Sequence, residues 1–359
     1  MTNTTDNRRG PADFEQVLPG AGDAVVFEEE DRSVVRQIQQ FLHAYPTTIP
    51  FIVLLLGIIV FTILVGDRFF HPFNLSLVLQ QVTIIGTLGI AQTLIILTAG
   101  IDLSVGAIMV LSSIVMGRLA VVSGVPVAIS FPLGLLAGMA CGYVNGILVT
   151  RLKLPPFIVT LGTWSIFGAL ILFYSRSETL RQQDVEAAAA MLQWTGTAIP
   201  IGAARVTYGS ILMLVVAGVI WYVLNRTAFG RHIYATGDDP DAARLAGINT
   251  NRTLMAVYTL AGLICAIAGW ILIGRIGAVS PLAGQTSNLD SITAVVIGGT
   301  SLFGGRGSII GTLVGALIVG VFRNGLALAG LDVLWQEFTV GVLIIVAVAM
   351  DQWIRRIAV

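Results

Sequence analysis

One acidic residue stands out among the side chains of this sequence that could do chemistry. Asp102 follows Gly100 in the segment Ile96 to Ser113, ILTAGIDLSVGAIMVLSS, which is otherwise apolar. An ionisable group is costly in such surroundings, so Asp102 is expected to cap a helix, pair with a polar group or face water. The capping role predicts that Asp102 is the N-cap of the helix that follows. The functional alternative is that Asp102 lines a route across a membrane.

Patterns that would mark an enzyme or a metal protein are absent from the sequence. There is no G-x-x-x-x-G-K-[ST] motif, and Lys153 is the only lysine, so the chain has no P-loop for nucleotide phosphates. His43, His71 and His232 are widely separated, and no H-E-x-x-H motif or acidic cluster suggests a metal. There is also no basic patch of the size that nucleic acids require. We therefore predict no catalytic residues, no metal site, no cofactor in this chain and no nucleic-acid partner.

The composition instead indicates a protein that crosses a membrane many times. Of the 359 residues, 55% are hydrophobic and 11% are charged, and the mean hydropathy is +0.87. These values lie far outside the range of soluble globular domains. The 40 glycines suit helices that pack closely in lipid. Cys141 and Cys265 lie in separate apolar segments, where we expect buried thiols rather than a disulfide.

The apolar segments predict an all-α polytopic membrane protein with about ten transmembrane helices. Several segments are shorter than the ~20 residues that a straight crossing needs, so eight to ten spans is the expected range. The expected spans are Thr48 to Val65, Leu75 to Ala99, Leu103 to Val122, Val125 to Thr150, Pro156 to Tyr174, Tyr208 to Leu224, Thr253 to Gly274, Ser291 to Phe303, Ser308 to Phe322 and Trp335 to Trp353.

The charges next to the spans place both termini in the cytoplasm. Arg32 and Arg36 precede the first span, and Arg355 and Arg356 follow the last. Residues 1–46 are acidic and lack apolar periodicity, so we expect a disordered cytoplasmic tail ahead of a transmembrane domain at 47–359. In this frame residues 176–209 lie in the periplasm and are expected to form a short amphipathic helix over the outer mouth, either as a docking surface or as a solvated connector.

The polar segment 225–252 interrupts the apolar spans and is rich in arginine, which indicates a cytoplasmic loop. Within it, Asp239 can cap a helix, Pro240 suits the first helical position and Asp241 favours the positive end of the helix dipole. Gly247 supplies a left-handed stop. The sequence therefore predicts a two-turn helix from Pro240 to Ala246. Because so short a helix is unstable alone in water, it is expected to dock on a partner protein, although an ordinary capped surface helix would have the same pattern.

The short helix also carries a resemblance to a known family. Asp241, Ala242 and Ala243, followed after three residues by Gly247, resemble the E-A-A-x-x-x-G signature of bacterial ABC importer permeases, with Asp in place of Glu. In that family the signature forms the coupling helix that sits in a groove of the ATPase subunit. The resemblance implies that Asp239, Pro240, Asp241, Ala242, Ala243, Arg244 and Gly247 contact the ATPase.

Three further motifs extend the resemblance from about Phe51 to the C-terminus. They are AGIDLSVGAIM, LPPFIVTLGTW at Leu154 to Trp164 and ITAVVIGGTSLFGGRGS at Ile292 to Ser308, all similar to the permeases of ribose-type monosaccharide ABC importers. Four stretches of the sequence are most similar to the fructose-type branch of these permeases: GDRFF, AQTLIILTAGIDLSVGAIMVLSS, GRHIYATGDDP and VIGGTSLFGGRGSIIG. The acidic tail lies outside the family core and gains no function from it.

The resemblance implies a permease in the bacterial inner membrane that forms the translocation path of an ATP-dependent monosaccharide importer. Its expected partners are a cytoplasmic ABC ATPase that holds ATP and Mg, a periplasmic sugar-binding protein and a second permease copy, most simply in a homodimer. A neutral sugar needs hydrogen-bonding side chains and an aromatic face, although such polar groups also hydrogen-bond between helices at ~0.6 kcal/mol each. The candidates for the substrate path are Gln80, Gln81, Gln92, Asp102, Asn145, Thr160, Thr163, Trp164 and Thr293.

The principal alternative is an ion-coupled secondary sugar carrier. Such a carrier would use buried ionisable groups as its coupling site, and only Asp102 and Asp290 qualify in this sequence. A membrane enzyme is a weaker alternative, because no plausible acid, base or metal cluster is present.

Overall fold

The computed structural model describes residues 48–284 and 286–355, and these residues are built almost entirely from helices. The predicted acidic tail, residues 1–46, lies outside the described residues. In chain order the elements are α1 (Thr48–Val65), α2 (Asp67–Phe70), α3 (Pro72–Leu97), α4 (Val105–Gly117, continued by a π-helical turn Arg118–Val122), α5 (Val127–Thr150), α6 (Pro156–Ser175), α7 (Gln182–Ala189, continued by a 3-10 segment Ala190–Gly196), β1 (Ala198–Ile201), β2 (Ala204–Thr207), α8 (Tyr208–Arg226), α9 (Ala228–Asp238), α10 (Pro240–Leu245), α11 (Thr250–Ile276), α12 (Ser287–Ile297), α13 (Ile309–Leu328) and α14 (Val333–Arg355).

The predicted all-α polytopic fold is confirmed. Seven helices of the described chain, from α3 to α13, are long and apolar enough to cross a bilayer. Three shorter apolar helices, Pro50–Val65, Ser287–Ile297 and Val333–Leu343, fall in the places of the remaining predicted spans. Each of the ten predicted spans therefore coincides with an apolar helix, whereas the exact number of crossings and the cytoplasmic location of the termini stay predictions.

The helix α12 is only about half as long as a membrane crossing. Its 11 residues rise about 16 Å at 1.5 Å per residue, against a hydrocarbon core of about 30 Å. The predicted span from Ser291 to Phe303 was wrong at its end, because Gly298 and Gly299 terminate the helix, with Gly299 at φ +84°. The chain continues to Ser308 without regular structure. Such irregular backbone is tolerated at membrane depth only where it is buried in protein or lines a cavity.

A second break separates α3 from α4. The chain leaves α3 at Leu97, passes through Ala99 at φ +59° and resumes a helix only at Val105. The two interrupted segments meet inside the molecule, since the side-chain nitrogen of Asn288 donates to the carbonyl of Leu103 at 3.2 Å. The N-terminal ends of α4 and α12 are therefore neighbours.

The long helix α11 lies at the centre and packs against α3, α4 and α5. The approach of α5 is close because Gly138 and Gly262 face each other, and a side chain on either would overlap the backbone of the other. Small residues at such crossings allow the dispersion contacts that hold helices together in lipid. The result is a rigid inner layer, with Val257, Cys265 and Ala268 fully buried along α11.

The segment predicted to be periplasmic contains the expected short helix and also a hairpin. In α7, Val185 and Ala189 are buried, while Gln183 and Glu186 are exposed, which is the expected amphipathic pattern. Strands β1 and β2 pair antiparallel, with Ala198 opposite Thr207. The hairpin was not predicted from the sequence.

Candidate functional site

A cavity of about 580 Å³ lies where the N-terminal ends of α4 and α12 approach α6 and the loop 281–284. Its volume is in the range of small-molecule sites, about 300 to 1,000 Å³. The residues that line it are Gly106, Ala107, Val110, Trp164, Ser165, Gly168, Ile171, Leu172, Pro281, Leu282, Ala283, Gly284, Thr286 and Asn288. None of these lining residues carries a charge.

The polar groups of this cavity suit a neutral hydroxylated ligand. Trp164 is 43% exposed and offers an aromatic face, while Ser165, Thr286 and Asn288 offer hydroxyl and amide groups. The first turns of α4 and α12 add backbone N–H donors, because neither turn has a side-chain cap in the described structure. A ligand here would be recognised by hydrogen bonds and ring contact rather than by an ionic clamp.

Only one of the side chains predicted for the substrate path, Trp164, lines this cavity. Thr163 is buried and donates to the carbonyl of Thr160 at 3.4 Å. Thr293 is also buried and donates to the carbonyl of Leu289 at 2.7 Å. Each hydroxyl therefore already donates a hydrogen bond to a backbone carbonyl of its own helix. Their role in the substrate path stays a prediction.

The two predicted glutamines of α3, Gln80 and Gln81, lie elsewhere. Gln80 lines a separate cavity of about 30 Å³, together with Thr195 and Arg275. Gln81 is half-buried, and its side-chain oxygen has no hydrogen-bond partner. A role for these two amides in the substrate path likewise stays a prediction.

Three of the predicted polar residues, Gln92, Asp102 and Asn145, form one buried cluster with Ser104. The Asp102 carboxylate accepts from the backbone N–H and the hydroxyl of Ser104, both at 2.6 Å, and from the Asn145 amide at 3.3 Å. Asn145 also donates to the Ser104 hydroxyl at 2.9 Å. With the Gln92 amide turned to match its neighbours, it bonds the backbone N–H and carbonyl of Asp102, both at 3.2 Å.

This cluster fixes the chain where it enters α4. Asp102 is 2% exposed and is not among the residues that line the cavity. The prediction that Asp102 is itself the N-cap was wrong by two residues, because the helix begins at Val105 and Ser104 is its N-cap. The carboxylate instead holds the N-cap residue in place, as in an Asx-turn. Asp102 therefore positions one wall of the cavity.

The other buried acid, Asp290, is paired with a cation. Its carboxylate lies 2.7 Å from the guanidinium of Arg323, which also contacts Glu337 at 3.0 Å. Asp290 and Arg323 thus connect α12 with α13, and Glu337 extends the network to α14. Because its charge is matched, Asp290 is a poor candidate for an ion-coupling site.

The predicted two-turn helix is present as α10, and its caps are formed as expected. The Asp239 carboxylate accepts from the backbone N–H groups of Asp241 and Ala242 at 2.9 and 3.0 Å, and Pro240 is the first helical residue. Gly247 has φ +85°. The N–H of Gly247 donates to the carbonyl of Arg244 at 2.9 Å, and the N–H of Ile248 donates to the carbonyl of Ala243 at 3.0 Å. These two hydrogen bonds form a Schellman motif.

The outer face of α10 carries an exposed leucine that the sequence analysis did not single out. Ala243 is buried against the protein, whereas Leu245 is 91% exposed. Arg244 is partly tied down, because it contacts Asp241 at 2.8 Å and donates to Thr250 at 3.0 Å. The exposure of Leu245 could have been predicted from the helical periodicity, because Leu245 lies two positions after the buried Ala243, about 200° round the helix.

The cavity beside Trp164 also includes residues that were not predicted from the sequence. Thr286 and Asn288 belong to a polar run, Gly284 to Asn288, immediately before the apolar part of α12. A polar run of this kind marks a helix start, and it could have indicated that the predicted span begins with a break. The location of that break inside the protein depends on tertiary contacts with Leu103.

Comparisons with known proteins agree with this architecture. Residues 74–348 match the family described as branched-chain amino acid transport system, permease component. The chain is 55% identical over 359 residues to the fructose import permease protein FrcC of Rhizobium meliloti, covering 100% of both chains. It is 39% identical over 306 residues to the ribose import permease protein RbsC of Bacillus subtilis, covering 84% of this chain and 92% of that one. It is 34% identical over 336 residues to the xylose transport system permease protein XylH of Escherichia coli, covering 79% and 86%. No solved structure matches the chain.

Proposed function

The chain belongs to this family of transport permeases, and we propose that it forms the translocation path of an ATP-dependent importer for a monosaccharide of the fructose or ribose class. It is a multi-pass inner-membrane transport subunit rather than an enzyme. Relatives that share 55% and 39% of its residues are named for fructose and ribose import. At such identity, over most of both chains, the class of substrate is expected to be retained.

The observation that carries the proposal is the uncharged cavity beside Trp164. Fructose and ribose are neutral and rich in hydroxyl groups, and a tryptophan ring can cover the apolar face of such a sugar. The hydroxyl of Thr286 and the amide of Asn288 supply hydrogen-bonding groups in the lining of the same cavity. Unpaired N–H groups at the two helix ends would favour the electronegative oxygens of the ligand.

The second part of the proposal concerns energy supply. A cytoplasmic ABC ATPase would bind ATP and Mg, and the exposed face of α10 would dock in its groove through the residues around Leu245. Family membership implies that the chain works with other transporter subunits. We further propose that these are the ATPase, a periplasmic sugar-binding protein that docks on residues 176–209, and a second copy of the permease in a homodimer.

The ion-coupled carrier receives less support than the importer. The relatives are named as import permeases and permease proteins of transport systems. Of the two acids that could couple an ion, Asp290 is paired with Arg323, and Asp102 is hydrogen-bonded to Ser104 and Asn145. Both acids thus have structural roles that do not require a transported ion.

The sugar proposal is tested by replacing the aromatic wall of the cavity. Trp164→Ala should weaken sugar uptake by about threefold to tenfold, the factor that corresponds to one aromatic contact. The measurement is the concentration dependence of fructose and ribose uptake in cells that express comparable amounts of protein. Trp221→Ala is the matched control, since Trp221 is 38% exposed on α8 and does not line the cavity. Equal uptake by the wild type and Trp164→Ala would refute the assignment of this cavity to the sugar.

A further inference from the structure

The helix α9 meets two membrane loops through a contact that leaves no room for a side chain. A Cβ on Gly237 would overlap the carbonyl oxygen of Leu97 and would lie 2.9 Å from the backbone nitrogen of Gly305. The C-terminal end of α3 and the loop after α12 are themselves hydrogen-bonded, because the N–H of Gly305 donates to the Leu97 carbonyl at 3.0 Å. We call the contact of Gly237 with Leu97 and Gly305 the glycine joint.

A side-chain hydrogen bond supports the same junction. The hydroxyl of Tyr234, one turn before Gly237, donates to the carbonyl of Gly307 at 2.9 Å. Burial raises the pKa of Tyr234, so the phenol remains protonated and can donate. Ile233 is fully buried beside it. The second half of α9 is therefore fixed to the loop that follows α12.

Each loop of the glycine joint leads directly to a wall of the cavity. From Leu97 the chain runs through the Asp102 cluster to the N-terminus of α4, where Gly106 and Ala107 line the cavity. From Gly305 it runs back to the C-terminus of α12, whose opposite end places Asn288 in the cavity. Because α12 is a continuous helix of 11 residues, a displacement at one end reaches the other.

On the other side, α9 is joined to α10 almost without a linker. Asp239 is the single residue between the two helices, and it is the N-cap of α10. A force on the exposed face of α10 therefore passes to α9 without being absorbed by a flexible connection. Because the backbone of Gly237 is in direct contact with Leu97 and Gly305, α9 cannot move far without displacing these two segments.

We propose that the glycine joint transmits the movement of α10 to α4 and α12, the two helices whose N-terminal ends wall the cavity, so that docking and closure of the ATPase change access to the sugar site. This inference rests on the proposed function. It assigns to Gly237, Gly305 and Tyr234 a positioning role, distinct from contact with either the sugar or the ATPase.

The test uses the whole transporter, reconstituted in liposomes with its ATPase and binding protein. Gly237→Ala should leave the affinity for the ATPase unchanged, because the exposed face of α10 is intact. Sugar uptake per ATPase complex should fall by about fivefold to 150-fold, the usual range of coupling between sites. Stimulation of ATP hydrolysis by the sugar-loaded binding protein should fall in parallel. Gly218→Ala on α8 is the matched control, because a Cβ there meets nothing within 4 Å.

A milder variant keeps the test decisive if Gly237→Ala does not fold, as judged by gel filtration and thermal unfolding. Tyr234→Phe removes only the hydroxyl, so uptake per complex should fall by about threefold to tenfold, the effect of one hydrogen bond. Tyr222→Phe is its control, since Tyr222 is exposed on α8. If Gly237→Ala folds and takes up sugar normally, the proposed role of the glycine joint is refuted. If Gly237→Ala does not fold, normal uptake by Tyr234→Phe refutes it instead. Failure of the wild-type protein to bind the ATPase would refute the proposed function itself.

Discussion

Replacing Leu245 should weaken binding of the ATPase more than any charge change on α10. The side chain is 91% exposed in the permease alone, so nearly all of its burial would take place in the complex. Burying a leucine contributes about 1.5 to 3 kcal/mol. Leu245→Ala removes most of that apolar area, and the expected loss is about 1 to 2 kcal/mol, or roughly fivefold to thirtyfold in Kd. The Asp241–Arg244 pair is exposed and internal to α10, and such pairs contribute under about 1 kcal/mol.

The assay is the equilibrium Kd between purified permease in detergent and the ATPase labelled with a fluorophore. Leu334→Ala is the matched control, because Leu334 is 77% exposed near the start of α14, far along the chain from α10. Thermal unfolding should show the same stability for both variants, since neither residue contributes to the core. An unchanged Kd for Leu245→Ala would contradict the assignment of this face as the ATPase contact.

Three further predictions concern the cap, the buried acid and the topology. Gly247→Val should cost about 1 to 2 kcal/mol of local strain, because valine is disfavoured at φ +85°. Less ATPase should co-purify with this variant, although its membrane domain stays folded. Unchanged association together with unchanged coupling would exclude α10 as the coupling element. Asp102→Asn should preserve most uptake, because asparagine can still accept the Ser104 bonds, whereas Asp102→Leu should impair folding or transport; loss of uptake in well-expressed Asp102→Asn would instead favour an ion-coupled carrier. A cysteine at Leu245 should be protected from an impermeant thiol reagent in intact cells and one at Gln183 should react, and the reverse pattern would show an inverted topology.

The sequence predicts those features that depend on short-range patterns. The apolar spans follow from hydropathy, and α10 follows from Asp239, Pro240 and Gly247, whose capping interactions lie within a few residues. Burial at Gly237 could not be predicted in this way. In the sequence Gly237 lies within the polar segment 225–252, which predicts exposure to solvent, but the backbone of Leu97 covers it. That contact joins residues 140 positions apart, and no local pattern specifies it.

The cavity illustrates the same limit. Polar residues within spans are the expected candidates for a substrate path, yet Thr163 and Thr293 bond carbonyls of their own helices. Asn288 reaches the cavity because α12 starts inside the protein beside Leu103. Hydropathy alone does not distinguish a half-length helix from a full crossing. The residues that line the site therefore became evident only from the packing of α4, α6 and α12.

ATP-driven sugar import is tested most directly by sugar accumulation in proteoliposomes that contain the permease, its ATPase and the sugar-loaded binding protein. We expect uptake of fructose or ribose to require enclosed ATP and the binding protein, and to continue when proton and sodium gradients are abolished. Uptake that is driven by an ion gradient and proceeds without ATP would contradict ATP-driven import.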